Sequence, residues 1–146
     1  MRRWITGCNR YQARVVMILA AGCCVAGAFT RSVWDGVYTK EQAHRGQTVY
    51  GQECAKCHGE NLAGGEAAPA LTGAEFLSHW NGKTAGAIYD TLRKTMPTDD
   101  PGSLSTREYA DLAAYLFSAN DFPAGEKELE RDAAALNEIR IEPKHQ

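Results

Sequence analysis

Acidic side chains are absent from the first 34 residues: all 18 Asp and Glu fall at or beyond Asp35, whereas four of the 16 Lys and Arg fall within the first 14. From Asp35 onward 11 basic residues stand against 18 acidic ones, a formal net charge near −7. Phosphate binding needs the opposite sign, so no nucleic-acid partner is expected and a cationic protein surface is favoured. Cysteine is scarce where it would matter. Of the five, Cys8, Cys23 and Cys24 lie in the N-terminal stretch, which leaves Cys54 and Cys57, too few for a disulfide framework. A structural zinc site would want four ligands; no second cysteine pair exists and His44, His79 and His145 are scattered. Long apolar runs are missing as well. The longest, residues 15–29 (VVMILAAGCCVAGAF), has fifteen residues, short of the roughly 20 that span a bilayer core. No strand-like alternation runs for a useful length, and no Ser-His-Asp arrangement, phosphate-cradling glycine loop or paired-carboxylate site stands out. With 146 residues, 44% of them hydrophobic, the chain has room for one modest globular domain.

The N-terminal stretch reads as an export signal. Arg2, Arg3, Arg10 and Arg14 precede the apolar run, and Ala26-Gly27-Ala28 closes it with an A-x-A cleavage pattern. A signal peptide over residues 1–28 is expected, and with it a periplasmic location. Retention as an uncleaved anchor and lipidation at Cys23 (LAAGC) are the alternatives, and only under those is membrane association expected.

Beyond Asp35 the pattern is helical. Thr39 and Gln42 form a capping box for a helix over about residues 40–53, in which Ala43, Gly46, Gln47 and Tyr50 share a face. Gly46 weakens that helix unless another crosses it closely, a surface glycine being the alternative. Residues 59–71, rich in Gly, Ala and Pro, are a loop. Thr72 with Glu75 predicts a second capping box and a short helix through Trp80; Thr84 opens a third through Ile88, Leu92 and Arg93. Residues 95–102 (TMPTDDPG) are a loop, since two prolines prevent helix continuation. Ser105 and Glu108 cap the strongest helix, with Tyr109, Leu112, Ala113, Leu116 and Phe117 on one face. A short helix is predicted near residues 128–136, a solvated charged helix face over 126–132, and an extended tail at Ile139 and Ile141. The chain is therefore all-α, with four to five short helices and loops too long for a small domain unless something other than side chains fills its core. The folded domain is placed at residues 33–121, with 122–146 as an extension packed on it.

Cys54-Ala55-Lys56-Cys57-His58 is the C-x-x-C-H pattern. Two thiols at this spacing can each form a thioether to one edge of a porphyrin, and the next residue offers an imidazole to the iron. A thioredoxin-like pair would want a preceding strand, and helix precedes it here. Met1 and Met17 fall in the signal, so Met96 is the methionine left to supply a sixth ligand; His79 is the other candidate. A thioether is soft and neutral and favours ferrous iron.

The segments VWDGVYTKEQAHRGQTVY, CAKCHGENLAGGEAAPALTG, TMPTDDPGSLS and EYADLAAYLFSANDFPAG together resemble the class I c-type cytochromes, and in particular the small cytochrome c domains associated with quinoprotein (PQQ) dehydrogenases. The resemblance covers roughly residues 33–141. It implies a cytochrome c fold around one covalently bound haem c, with His58 as proximal and Met96 as distal iron ligand. It places Gly46 and Tyr50 where the first helix crosses the last, against Leu112, Tyr115 and Leu116. Pro69 matches the proline whose carbonyl orients the proximal imidazole, and Trp80 a pocket aromatic that donates to a propionate or is simply structural. The function implied is one-electron transfer without enzymatic turnover, between a periplasmic dehydrogenase donor and a cytochrome or terminal oxidase acceptor. A permanently bound subunit of a dehydrogenase complex and a haem protein with an open ligand site are the alternatives. The acidic balance and the tail after Phe122 depart from the mitochondrial type.

Overall fold

The computed structural model describes residues 31–66 and 68–144. The expected signal, with Cys8, Cys23, Cys24, Met1 and Met17, lies outside the described residues, as does His145. Among the described residues no helix is long and apolar enough to cross a membrane.

A two-residue strand β1 (Arg31–Ser32) and a 3₁₀ turn (Val33–Asp35) lead into α1 (Lys40–Glu53). The single turn α2 (Ala55–His58) follows, then α3 (Gly73–Trp80), α4 (Ala85–Thr95), α5 (Thr106–Ala119), the single turn α6 (Ala133–Leu136) and β2 (Ile139–Arg140). The fold is all-α as expected, with six helices among the described residues; the one beyond the five expected is α2, a turn of four residues, and α6 is as short. The Ser105–Glu108 capping box forms in full. The other two boxes do not. Thr39 accepts from the Gln42 backbone, but the Gln42 side chain is drawn elsewhere. Thr72 makes no side-chain cap; the N–H of Gly73, the first residue of the helix, is bonded by Asn120 Oδ1 at 2.9 Å, from the end of α5.

The core is the crossing of α1 and α5, the first and last long helices. A Cβ on Gly46 would lie 1.9 Å from the Asp111 carbonyl oxygen, so only glycine lets the backbones meet there. Tyr50 and Tyr115 pack at 5.3 Å between ring centroids beside it, and Leu112 and Leu116 are buried. Arg45 holds the carboxylate of Asp111 with two bonds of 2.9 Å and Glu128 with one of 2.8 Å. The crossing expected for Gly46 is therefore present, and the surface-glycine alternative is not.

The segment after α5 departs from its predicted helix over 128–136: only Ala133–Leu136 is helical, and residues 126–132 are irregular. The cause lies in α1 and α4. Gln42, 0% exposed, accepts from Leu129 N at 2.6 Å and donates to Leu129 O at 3.1 Å. Tyr89 on α4 donates to Arg131 O at 3.1 Å. Backbone groups that a helix would use are thus already committed to side chains. Ile139 and Ile141 pack back into the core as an extended tail, and β2 pairs in parallel with β1, Arg31 opposite Ile139.

Candidate functional site

α2 continues the path of α1: Cys54 N still bonds Tyr50 O, and His58 N bonds Cys54 O at 3.0 Å. One helical turn thereby carries Cys54, Cys57 and His58 past a single cavity. His58 is 8% exposed, and its Nδ1 stands 2.9 Å from the carbonyl oxygen of Pro69. A carbonyl can only accept, so Nδ1 carries a proton, and in the neutral ring the lone pair is then on Nε2, the arrangement a metal-binding imidazole requires. The carbonyl is delivered by a tightly folded loop. Gly64 adopts φ +69°, and a Cβ there would meet Ala70 N, Pro69 C and Ala68 O between 2.5 and 2.7 Å. Gly64 N donates to His58 O, and Leu71 N to Leu62 O, closing the loop on α2. Asn120 Nδ2 donates to Leu71 O at 3.0 Å, tying the loop's far end to α5.

The cavity has a volume of about 520 Å³ and is lined by Cys54, Cys57, His58, Pro69, Trp80 and Met96, with apolar walls that include Phe76, Ile88, Leu92, Leu112 and Leu116. Cofactor sites occupy roughly 300–1,000 Å³ and are mostly apolar with few polar groups. Met96 caps the C-terminus of α4, its N–H bonded to Leu92 O, and its own carbonyl accepts from Tyr109 Oη at 3.0 Å. All six residues singled out in the sequence therefore meet at one cavity. Its donor set, two thiols, an imidazole with a free nitrogen and a thioether, fits a covalently attached haem. Among the described residues no group of three or more His, Cys, Asp or Glu is arranged to hold a metal ion.

Burial pushes the Cys54 thiol up to about 11, with the charge of Glu53 adding to it, so that before attachment it is a neutral thiol at pH 7. Trp80 is half-buried, with Lys83 Nζ 4.9 Å from its ring centroid. His79 is exposed yet also borders the cavity, edge-on to Trp80 at 4.9 Å. At the mouth Lys56 Nζ and Asp99 Oδ2 lie 2.6 Å apart, which raises the lysine and lowers the carboxylate. Sequence reasoning missed three participants: Tyr109, which periodicity assigns to the core, Asn120 and the Lys56–Asp99 pair. The phenol carried a signal, since a buried tyrosine hydroxyl needs an acceptor; the other two carried none.

A family model described as cytochrome C oxidase, cbb3-type, subunit III, matches residues 41–116, a span that holds both cysteines, His58 and Met96. No curated protein matches the chain. Among solved structures the chain is similar to the sulfane dehydrogenase SoxCD from Paracoccus pantotrophus, at 20% identity and a TM-score of 0.47. The likeness covers 73% of this chain and 61% of that one.

Proposed function

The chain belongs to the c-type cytochrome family described as cytochrome C oxidase, cbb3-type, subunit III, and from that premise we propose that it is a non-enzymatic one-electron carrier with His58 and Met96 as axial ligands. Covalently bound haem c supplies the redox centre, an iron that changes by one electron. The chain supplies everything around it. Cys54 and Cys57 attach the macrocycle, the Pro69 carbonyl fixes the His58 ring so that Nε2 is the ligand nitrogen, and Met96 closes the opposite side. Trp80 lines the same cavity and would offer its indole N–H to a haem propionate, unless its role is structural alone. Phe76, Ile88, Leu92, Leu112 and Leu116 exclude water from the site and so limit solvent reorganisation.

The observation that supports this reading is one apolar cavity shared by both cysteines, His58 and Met96, with Nδ1 of the imidazole already occupied by Pro69. A site with both axial positions taken leaves no place for a substrate, which favours outer-sphere transfer. A periplasmic dehydrogenase is the donor in this reading, and a second cytochrome or a terminal oxidase the acceptor. The acidic balance beyond Asp35 favours partners that present a cationic face. In this reading the carrier is periplasmic, which the signal-like pattern of residues 1–28 supports, and it is membrane-bound only if that segment is kept or lipidated.

The test is the optical spectrum of the ferric protein, exported in a host that attaches haem. The weak long-wavelength band of a methionine-sulfur-to-iron bond is expected in the wild type and lost in Met96→Ala. A wild type that binds haem but lacks the band would remove Met96 from the iron and bring His79 or an open site forward.

A further inference from the structure

Met96 ends α4, and the loop after it bonds largely to itself, Asp100 N to Pro97 O and Ser103 N to Asp100 O. Side chains from elsewhere grip it at two places. Lys56 holds Asp99 at the surface, with both groups more than half exposed. Tyr109, in the first turn of α5, donates its phenol to the carbonyl of Met96 itself, and Tyr109 is 1% exposed. The surface contact is an ion pair in water, which contributes little. The inner one is a part-buried hydrogen bond made by a buried residue, and its loss leaves a carbonyl without that partner.

Tyr109 is not part of the cavity wall. Its phenol can affect the site only through the backbone that carries the thioether. We propose that Tyr109 is the positioning residue for the distal ligand, holding the Met96 peptide against α5 and thereby setting how readily a small exogenous ligand displaces the thioether. The inference rests on the His58 and Met96 ligation proposed above. It makes the α5 hydroxyl, rather than the exposed ion pair, the element that keeps the site closed.

A second buried tyrosine provides the control. Tyr89, 0% exposed, directs its hydroxyl to Arg131 O at 3.1 Å in the C-terminal segment, with a longer approach of 3.5 Å to Thr106 O at the start of α5, and neither acceptor belongs to Met96. Tyr109→Phe and Tyr89→Phe each remove one buried hydroxyl and keep the ring, and both are expected to lower the melting temperature. The ferric holoproteins are titrated with imidazole while the sulfur-to-iron band is followed. Tyr109→Phe is expected to bind imidazole about 2- to 10-fold more tightly than wild type, the factor that one neutral hydrogen bond represents. Tyr89→Phe is expected to match wild type. Equal shifts in the two variants, or none in Tyr109→Phe, overturn the proposal while leaving the ligation intact, provided that the band is present in wild type and absent in Met96→Ala. A wild type without the band overturns the ligation and this inference with it.

Discussion

Lys56 Nζ stands 2.6 Å from Asp99 Oδ2, joining the turn that carries the two cysteines to the loop that follows Met96. The two walls of the cavity are thus bridged at its mouth by a contact whose partners are both more than half exposed. Such a pair is screened by salt. Asp99→Asn is therefore expected to unfold at the wild-type temperature at ionic strengths of about 1 M, where the Debye length is ~3 Å. Any difference seen at low salt should fade as salt is raised. A difference that persists at high salt would mean that Asp99 holds the loop by something other than charge.

The α1–α5 crossing gives a paired test within one helix. Gly46→Ala forces a Cβ to within 1.9 Å of the Asp111 carbonyl, where backbone must shift, whereas a Cβ on Gly51 meets nothing within 4 Å. Gly46→Ala is expected to destabilise by about 3 kcal/mol, the upper range of overpacking. Gly51→Ala is expected to stabilise by about 0.5–1 kcal/mol through helix propensity alone. Chemical denaturation of both variants decides it, and equal effects would refute the close approach.

Gln42 acts as a clamp on the C-terminal segment through its two bonds to Leu129. Gln42→Ala leaves the N–H and C=O of Leu129 without these partners, at a cost of about 1–3 kcal/mol. Amide exchange at Leu129 is expected to speed up far more than exchange in α5. If both regions respond equally, the segment is not held independently at this point.

The acid limb of stability has an identifiable source. Glu108 is held below the usual carboxylate range first by the Ser105 backbone N–H and then by its hydroxyl, and Glu128 is held low first by Arg45. A carboxyl whose folded pKa is depressed adds stability above the unfolded value, ~4.3 for Glu, and that contribution is lost as pH falls through the folded value. Melting temperature is therefore expected to hold from neutrality to about pH 5 and then drop. Glu108→Gln should be less stable than wild type at pH 7, and the gap should narrow below pH 4. A gap that stays constant across that range would show that the cap does not work through charge.

Much of this was legible in the sequence, and the reasons differ by residue. The spacing of Cys54, Cys57 and His58 is dictated by chemistry, so the pattern could be read without a fold. Met96 emerged from scarcity, and Gly46 from its misfit in a helix. What stayed hidden depends on which distant side chain reaches a given backbone group. The sequence predicts helix over residues 128–136, yet nothing local announces that Gln42, 87 residues away, binds the backbone of Leu129. The Thr72 box did not form, and the bond that Asn120 makes to the N–H of Gly73, from 47 residues further on, is one that no local motif announces. Tyr109 was placed in the core correctly, but periodicity describes a ring and says nothing of its hydroxyl.

The meeting of α1 and α5 also sets an order of events for the newly made chain. Arg45 and Asp111 are 66 residues apart, and both cysteines, His58, Pro69, Trp80 and Met96 lie between them. Closing so long an interval costs entropy before any contact returns it, and topologies dominated by distant contacts fold slowly. The stretch bearing Cys54 and Cys57 emerges and can bend into its turn while α5 is still unmade. Until that last long helix arrives, the wall made by Leu112 and Leu116 is missing, and the cavity beside both thiols stands open on that side.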